Sequence, residues 1–222
     1  PVTAREGEPV ALALLAAGVV LAVLAPVEAT MGPIQKLFYL HLPVAVNTFV
    51  AALVMCVACV GYLSGRRQVW DDLANAAAKV TVLNATVLLL TGVFWAQIAW
   101  GHWWTWSPRL AFSLLMWALY AAYLAIRPMI DSPARRATIS AVYGIVAFLD
   151  VPLVYLSVKL LPDIHPASIE LDPRMRQVLM LWFVAVTMLS SGLIAGRFAL
   201  TRLMASEGPD HGAAGPLQGV RA

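Results

Sequence analysis

Apolar residues in this chain do not alternate with polar ones. They come in six long runs, at 10–28, 42–64, 80–99, 111–129, 139–160 and 178–203, separated by short polar connections. A bilayer core takes about 20 apolar residues in helical form, and each run is close to that length. The pattern predicts an all-α membrane protein with six transmembrane helices. The strand-like alternation of a membrane barrel is not seen. Pro128 and Pro152 fall at or inside runs, where a membrane helix tolerates them if its neighbours satisfy the freed backbone. Gly192 and Gly196, spaced as GxxxG, predict a close helix contact in the sixth run. The first run, Val10 to Val27, lacks the basic leader and small-residue cleavage site of a signal peptide and is read as a membrane helix. Residues 207–222, rich in Gly and Pro, read as a disordered tail, leaving 1–206 as one transmembrane domain.

Composition and charge sharpen the picture. Of 222 residues, 61% are apolar and 12% charged, against about 25% charged in a soluble domain, so a water-soluble globule is excluded. The net charge of +3 does not imply a nucleic-acid partner, because the basic residues lie between apolar runs and not along one face. Their distribution sets topology instead. Ten Lys and Arg residues fall on the side holding the two termini and loops 2–3 and 4–5, and five on the other. By the positive-inside rule both termini are cytoplasmic, and loops 1–2, 3–4 and 5–6 face outward. Cys56 and Cys59 are too few for a disulfide framework or a four-ligand zinc site and read as small apolar side chains on one helix.

Candidate chemistry gathers on the outward side. Three of the four histidines fall there: His41 in QKLFYLHLP, His102 in WGHWWTWSPRL, and His165 in YLSVKLLPDIHP. His211 lies in the tail. Trp100, Trp103, Trp104 and Trp106 crowd the loop between helices 3 and 4. Tryptophan favours the headgroup interface, so an interfacial belt is one reading. A rigid apolar platform for a large planar ligand is the other, since on a helical turn Trp100, Trp103 and Trp104 would share a face. Two histidines beside such a platform suit axial ligation of a heme iron, although imidazole also binds copper or zinc. Lys36 and Arg109 could meet heme propionates or lipid phosphates.

At these motifs a family resemblance appears. WGHWWTW is similar to the tryptophan-rich signature (WGxWWxW followed by an acidic residue) of the heme-handling proteins of cytochrome c biogenesis. The six-span layout and the flanking KLFYLHLP and YLSVK segments resemble the CcmC family in particular. The resemblance implies binding of heme b (iron protoporphyrin IX) at the outer face of a bacterial inner membrane. It implies His41 and His165 as axial iron ligands, and the Trp run as the carrier of the porphyrin and of the chaperone contact. Delivery would be to the heme chaperone CcmE, beside the small subunit CcmD and the transporter subunits CcmA and CcmB. Lys36 and Arg109 match basic residues of the family.

Two positions depart from the family pattern. Ser107 stands where the family has an acidic residue after the last Trp, and Asp150 stands in the fifth span where an amide is usual. An ionisable residue inside a span invites a functional reading; a buried Asp hydrogen-bonded to another helix is the expectation adopted. No acid–base pair or activated nucleophile is evident, so the expected activity is ligand exchange and not catalysis. The alternatives are a component of a synthase that attaches heme to apocytochromes, or a transmembrane heme transporter. Synthase relatives are longer, with histidines inside the membrane. Transport of a non-heme substrate would call for a polar path, of which the spans offer only Asn84, Gln97 and Asp150.

Overall fold

The computed structural model describes residues 2–27, 32–162, 165 and 171–206; the tail 207–222 lies outside them. Seven α-helices are present among these residues: α1 Val2–Leu24, α2 Phe38–Gly65, α3 Gln68–Trp100, α4 Pro108–Ile126, α5 Pro133–Phe148, α6 Asp150–Leu160 and α7 Pro173–Ser206. No strand occurs among the described residues. Five candidate spans are long and apolar enough to cross a membrane, with α5 and the start of α6 counted as one. The protein is therefore a multi-pass, all-helical membrane protein. The first predicted span is not one of the five, because α1 is apolar only over Leu12–Leu24, roughly 20 Å of helix.

The helices outrun the apolar stretches that announced them. The third run begins at residue 80, whereas α3 begins at Gln68, because Asp71, Asp72 and Lys79 extend the helix beyond the apolar window. Apolar run length measures the bilayer, not the helix. The fifth run divides into α5 and α6 at Leu149. Pro152 lacks the N–H that Phe148 would otherwise receive, and the Leu149 amide turns back to the Val146 carbonyl at 3.1 Å. Pro128 acts similarly, closing α4 in a short 3-10 turn over Arg127–Met129.

The most extensive helix pair is α2 with α3. Many of its buried residues are small: Ala52 and Ala58 on α2, and Ala74, Ala77, Ala78 and Ala85 on α3, all in one core cluster with Tyr120 and Tyr123 of α4. Between helices in lipid such residues allow close backbone approach, the main source of attraction there. Gly144 of α5 belongs to the same logic. A Cβ at this position would lie 2.7 Å from both Cys59 Sγ and Met55 Cε. Gly192, in contrast, would present a Cβ to nothing within 4 Å, so the close contact expected of the GxxxG pair is not made there. The second core cluster joins α1, the start of α2 and α7 around Tyr39, Leu88 and Trp182. Ala22 and Ala25 near the end of α1 share it with Met175 and Leu179 near the start of α7, so these two helices run antiparallel.

Side-chain bonds define the two ends of the bundle. At one end Asp71 of α3 accepts both guanidinium nitrogens of Arg127, at 2.8 and 2.7 Å, while Arg127 also donates to the Tyr123 hydroxyl at 3.0 Å. Asp72 accepts from Arg202 of α7 at 3.3 Å, and Gln68 bridges the two aspartates. This ionic end thus ties α3, α4 and α7. At the other end lie the starts of α2, α4 and α7 and the ends of α1, α3 and α6, with all four tryptophans of the Trp run.

Two outcomes follow. The Arg127–Asp71 pair is largely buried, with side-chain exposures of 11% and 5%, so removing one partner strands a charge. Arg127→Met should cost about 3–5 kcal/mol of stability, and the double variant with Asp71→Leu clearly less than either single change. Denaturation in mild detergent measures this; a double variant as unstable as the sum of its singles would refute it. Gly144→Ala should cost about 1–3 kcal/mol by overpacking, and Gly192→Ala close to nothing. Equal losses at the two positions would remove the contrast.

Candidate functional site

The Trp end is built from helix termini. α3 stops at Trp100 because Gly101 takes the left-handed conformation, φ 77°, with its amide on the Gln97 carbonyl at 3.1 Å. Glycine adopts that geometry without steric cost. Residues 101–107 therefore leave the helix, and the expected shared helical face of Trp100, Trp103 and Trp104 does not form. The tryptophans instead enter separate edge-to-face pairs. Trp100 meets Trp95 with ring centroids 5.1 Å apart, Trp103 meets Phe94 at 6.0 Å, and Trp104 meets Trp106 at 5.8 Å. Trp103 and Trp106 remain 55% and 77% exposed, an apolar aromatic surface at the bundle's rim.

Two histidines come to this end from opposite parts of the chain. His41 sits in the first turn of α2, and its Nδ1 lies 2.9 Å from the Thr91 hydroxyl of α3. The ring of His165 packs edge-on against Trp100 at 6.4 Å. Arg109, in the first turn of α4, lies 3.5 Å from His165 Nδ1 and donates to the Tyr155 carbonyl of α6 at 3.4 Å. His41 is within electrostatic reach of both His165 and Arg109. The fold thus brings His41, His165, Trp100 and Arg109 together. Lys36 goes elsewhere: its ammonium donates to the Val23 carbonyl near the end of α1 at 2.6 Å. There it borders a groove of about 330 Å³ between α1, residues 33–40 and Trp182 of α7. His102 is exposed on the loop.

Many buried polar atoms at this end have no hydrogen-bond partner among the described residues. They include both amide atoms of Gln35, the Tyr39 hydroxyl, the indole nitrogens of Trp95 and Trp104, and the hydroxyls of Thr105 and Ser107. Buried polar groups in native proteins are nearly always paired, so these groups mark the Trp end as the place where partners beyond the described residues are called for. Ser107 precedes α4 without capping it, which leaves the positive end of that helix dipole beside Arg109.

Thr91, Gly92, Phe94, Trp95 and Tyr155 were not singled out from the sequence. A signal existed for two of them, since Thr91 and Trp95 are one helical turn apart and so share a face of α3. Asp150 lies away from the site, 4% exposed, and neither carboxyl oxygen has a partner among the described residues. The hydrogen bond to another helix that its burial led us to expect is not made.

The chain is similar to known proteins. A curated heme exporter protein C from Bradyrhizobium diazoefficiens is 32% identical over 157 residues, 70% of this chain and 60% of the relative. Another from Rhodobacter capsulatus is 35% identical over 121 residues, 54% of this chain and 50% of the relative. A cytochrome c biogenesis protein CcsA from Prochlorococcus marinus is 38% identical over 96 residues, 43% of this chain but 29% of that protein. The chain spans between half and three-fifths of the length of these two heme exporter relatives. The family model for CcmC, heme exporter protein C, matches residues 5–207. Because that match runs through the bundle and both histidine-bearing segments, the chain belongs to the CcmC family.

Proposed function

We propose that this protein holds heme b at the Trp end of the bundle and hands it to a carrier protein for cytochrome c maturation. The observation that supports this most is the convergence of His41, His165, Trp100 and Arg109 from four separate segments on one helix-terminal site. Its supports are the name of the family and the fit of these residues to the cargo. Two imidazoles offer axial nitrogens to iron. The indole rings offer apolar contact to a porphyrin, and Arg109 with the start of α4 offers a positive field to propionates. The unpartnered indole and hydroxyl groups suit a polar ligand or a docking chaperone.

In this reading the protein is no catalyst of bond cleavage. It holds the cargo by two nitrogen–iron bonds and gives it up when an acceptor competes for them. CcmE is the acceptor, meeting the exposed Trp103 and Trp106, and CcmD, CcmA and CcmB act beside it. The Trp end faces the periplasm and the ionic end the cytoplasm of a bacterial inner membrane. That assignment follows the excess of Lys and Arg on the termini's side under the positive-inside rule. α1, antiparallel to α7, completes a six-helix bundle with both termini inside. Lys36 closes α1 in this structure, and its part in anion binding requires leaving the Val23 carbonyl.

Two measurements test the proposal. Protein purified in mild detergent should carry heme with the visible spectrum of a six-coordinate iron, and the His41→Ala/His165→Ala double variant should lose it. A double variant that keeps full heme content would sink the ligand assignment. Arg109→Met should weaken hemin binding on the order of ten- to a hundredfold, the worth of a charge-assisted hydrogen bond. With hemin dimethyl ester, which lacks free carboxylates, the same substitution should change little. An equal loss with the ester would move Arg109 from carboxylate recognition to a structural part.

A further inference from the structure

His41 is not held by its own helix. Its Nδ1–Cε1 edge lies against α3, where Thr91 Oγ1 is 2.9 Å from Nδ1 and where a Cβ on residue 92 would stand 3.2 Å from Cε1. The Thr91 hydroxyl can donate along its own helix, to the carbonyl of Val87 at 2.8 Å or of Leu88 at 3.1 Å. With the hydroxyl so directed, what Thr91 turns toward His41 is a lone pair, and the ring nitrogen that meets it carries the hydrogen, the Nδ1–H tautomer. In a neutral imidazole this leaves the lone pair on Nε2. Other threonines of the bundle, Thr48 and Thr81, bond back to their own helix. Thr91 does this as well, but in addition it meets a side chain from a neighbouring helix, as Thr86 does the Trp117 indole.

We infer that Thr91 and Gly92 are positioning residues for His41: Thr91 fixes the imidazole as an Nε2 donor toward a metal, and Gly92 provides the space in which the ring lies against α3. The inference rests on the proposed heme-holding role and adds residues to which that role assigns nothing. Its chemistry is general, since a metal-ligating histidine nearly always donates its other N–H to an acceptor that fixes ring orientation and raises ligand basicity. Here the acceptor is a hydroxyl made unidirectional by the helix backbone. Gly92 is required because an alanine would force the ring to give by a few tenths of an ångström, enough to lengthen the Thr91 bond and turn Nε2.

The test uses the full chain in detergent, titrated with hemin and followed by absorption spectrum and by midpoint potential. Thr91→Val, which keeps the shape and removes the acceptor, should weaken hemin binding about ten- to a hundredfold and add a high-spin component to the spectrum. It should also raise the midpoint potential, because a less basic imidazole favours ferric iron less. Thr91→Ser should restore all three, and Gly92→Ala should shift them in the direction of Thr91→Val. If Thr91→Val matches wild type in affinity, spectrum and potential while His41→Ala loses heme, the inference is overturned and the heme site stands. If His41→Ala itself binds hemin as wild type does, His41 is no iron ligand and the positioning role fails with that assignment. Loss of affinity in Thr91→Val without rescue by serine would also overturn it, because a packing defect and not the hydroxyl would then be responsible.

Discussion

Lipid offers no water to an unpaired backbone group and no hydrophobic gain for pressing one helix on another. What holds this bundle is therefore the closeness of its backbones, and α2 with α3 is where that closeness is greatest. The alanines at positions 52, 58, 77 and 78 are wholly or almost wholly buried, and no larger side chain could stand between the two helices there. The site at the Trp end depends on this seam. His41 reaches Thr91 at 2.9 Å because α2 and α3 lie side by side up to their ends. Gly92 continues the logic of small residues for one more turn, with an imidazole in place of a neighbouring methyl group. A substitution that separated the helices would therefore act on the histidine before it acted on the fold.

The two ends of the bundle treat their polar groups differently. At the ionic end Asp71, Asp72, Arg127, Arg202 and Gln68 bond one another, and the network closes within the chain. At the Trp end Gln35, Tyr39, Trp95 and Trp104 are buried without partners among the described residues. Unpaired polar groups cost stability, so a chain selected only for stability would not collect them at one place.

Much of this was legible in the sequence, for reasons that can be named. Apolar runs report burial in lipid, so the all-helical class and the order of the five candidate spans could be read directly. Helix ends could not, because Asp71 and Asp72 make a polar stretch that stays helical by pairing with Arg127 and Arg202, partners 56 and 130 residues away. The grouping of His41, His165, Trp100 and Arg109 at one end of the bundle was visible from loop order alone, since alternate loops of a multi-pass bundle share a side. Lys36 has the same loop address yet turns to α1, a choice set by a carbonyl at 2.6 Å and not by topology. Thr91 lay hidden inside an apolar run, where one hydroxyl looks like an ordinary helix residue until a ring from another helix is seen against it. The GxxxG pair misled for the converse reason: spacing permits a close contact but does not supply the neighbour.

Gly101 decides what kind of surface the tryptophans make. Had α3 continued, Trp100, Trp103 and Trp104 would have stacked on one face and formed a closed apolar wall. The left-handed glycine ends the helix after Trp100. Trp100 is thereby kept in the bundle, edge-on to His165, while Trp103 and Trp106 are turned out to the rim. One tryptophan can then line the histidine site while two others meet a partner that approaches from outside. A site that must both hold a ligand and give it away needs those two surfaces to be continuous, and seven residues of non-helical loop between α3 and α4 make them so. The kink at Leu149 completes the arrangement from the opposite wall. Redirected by Pro152, α6 presents the Tyr155 carbonyl to Arg109, so the guanidinium is held beside His165 by a helix whose course a proline sets.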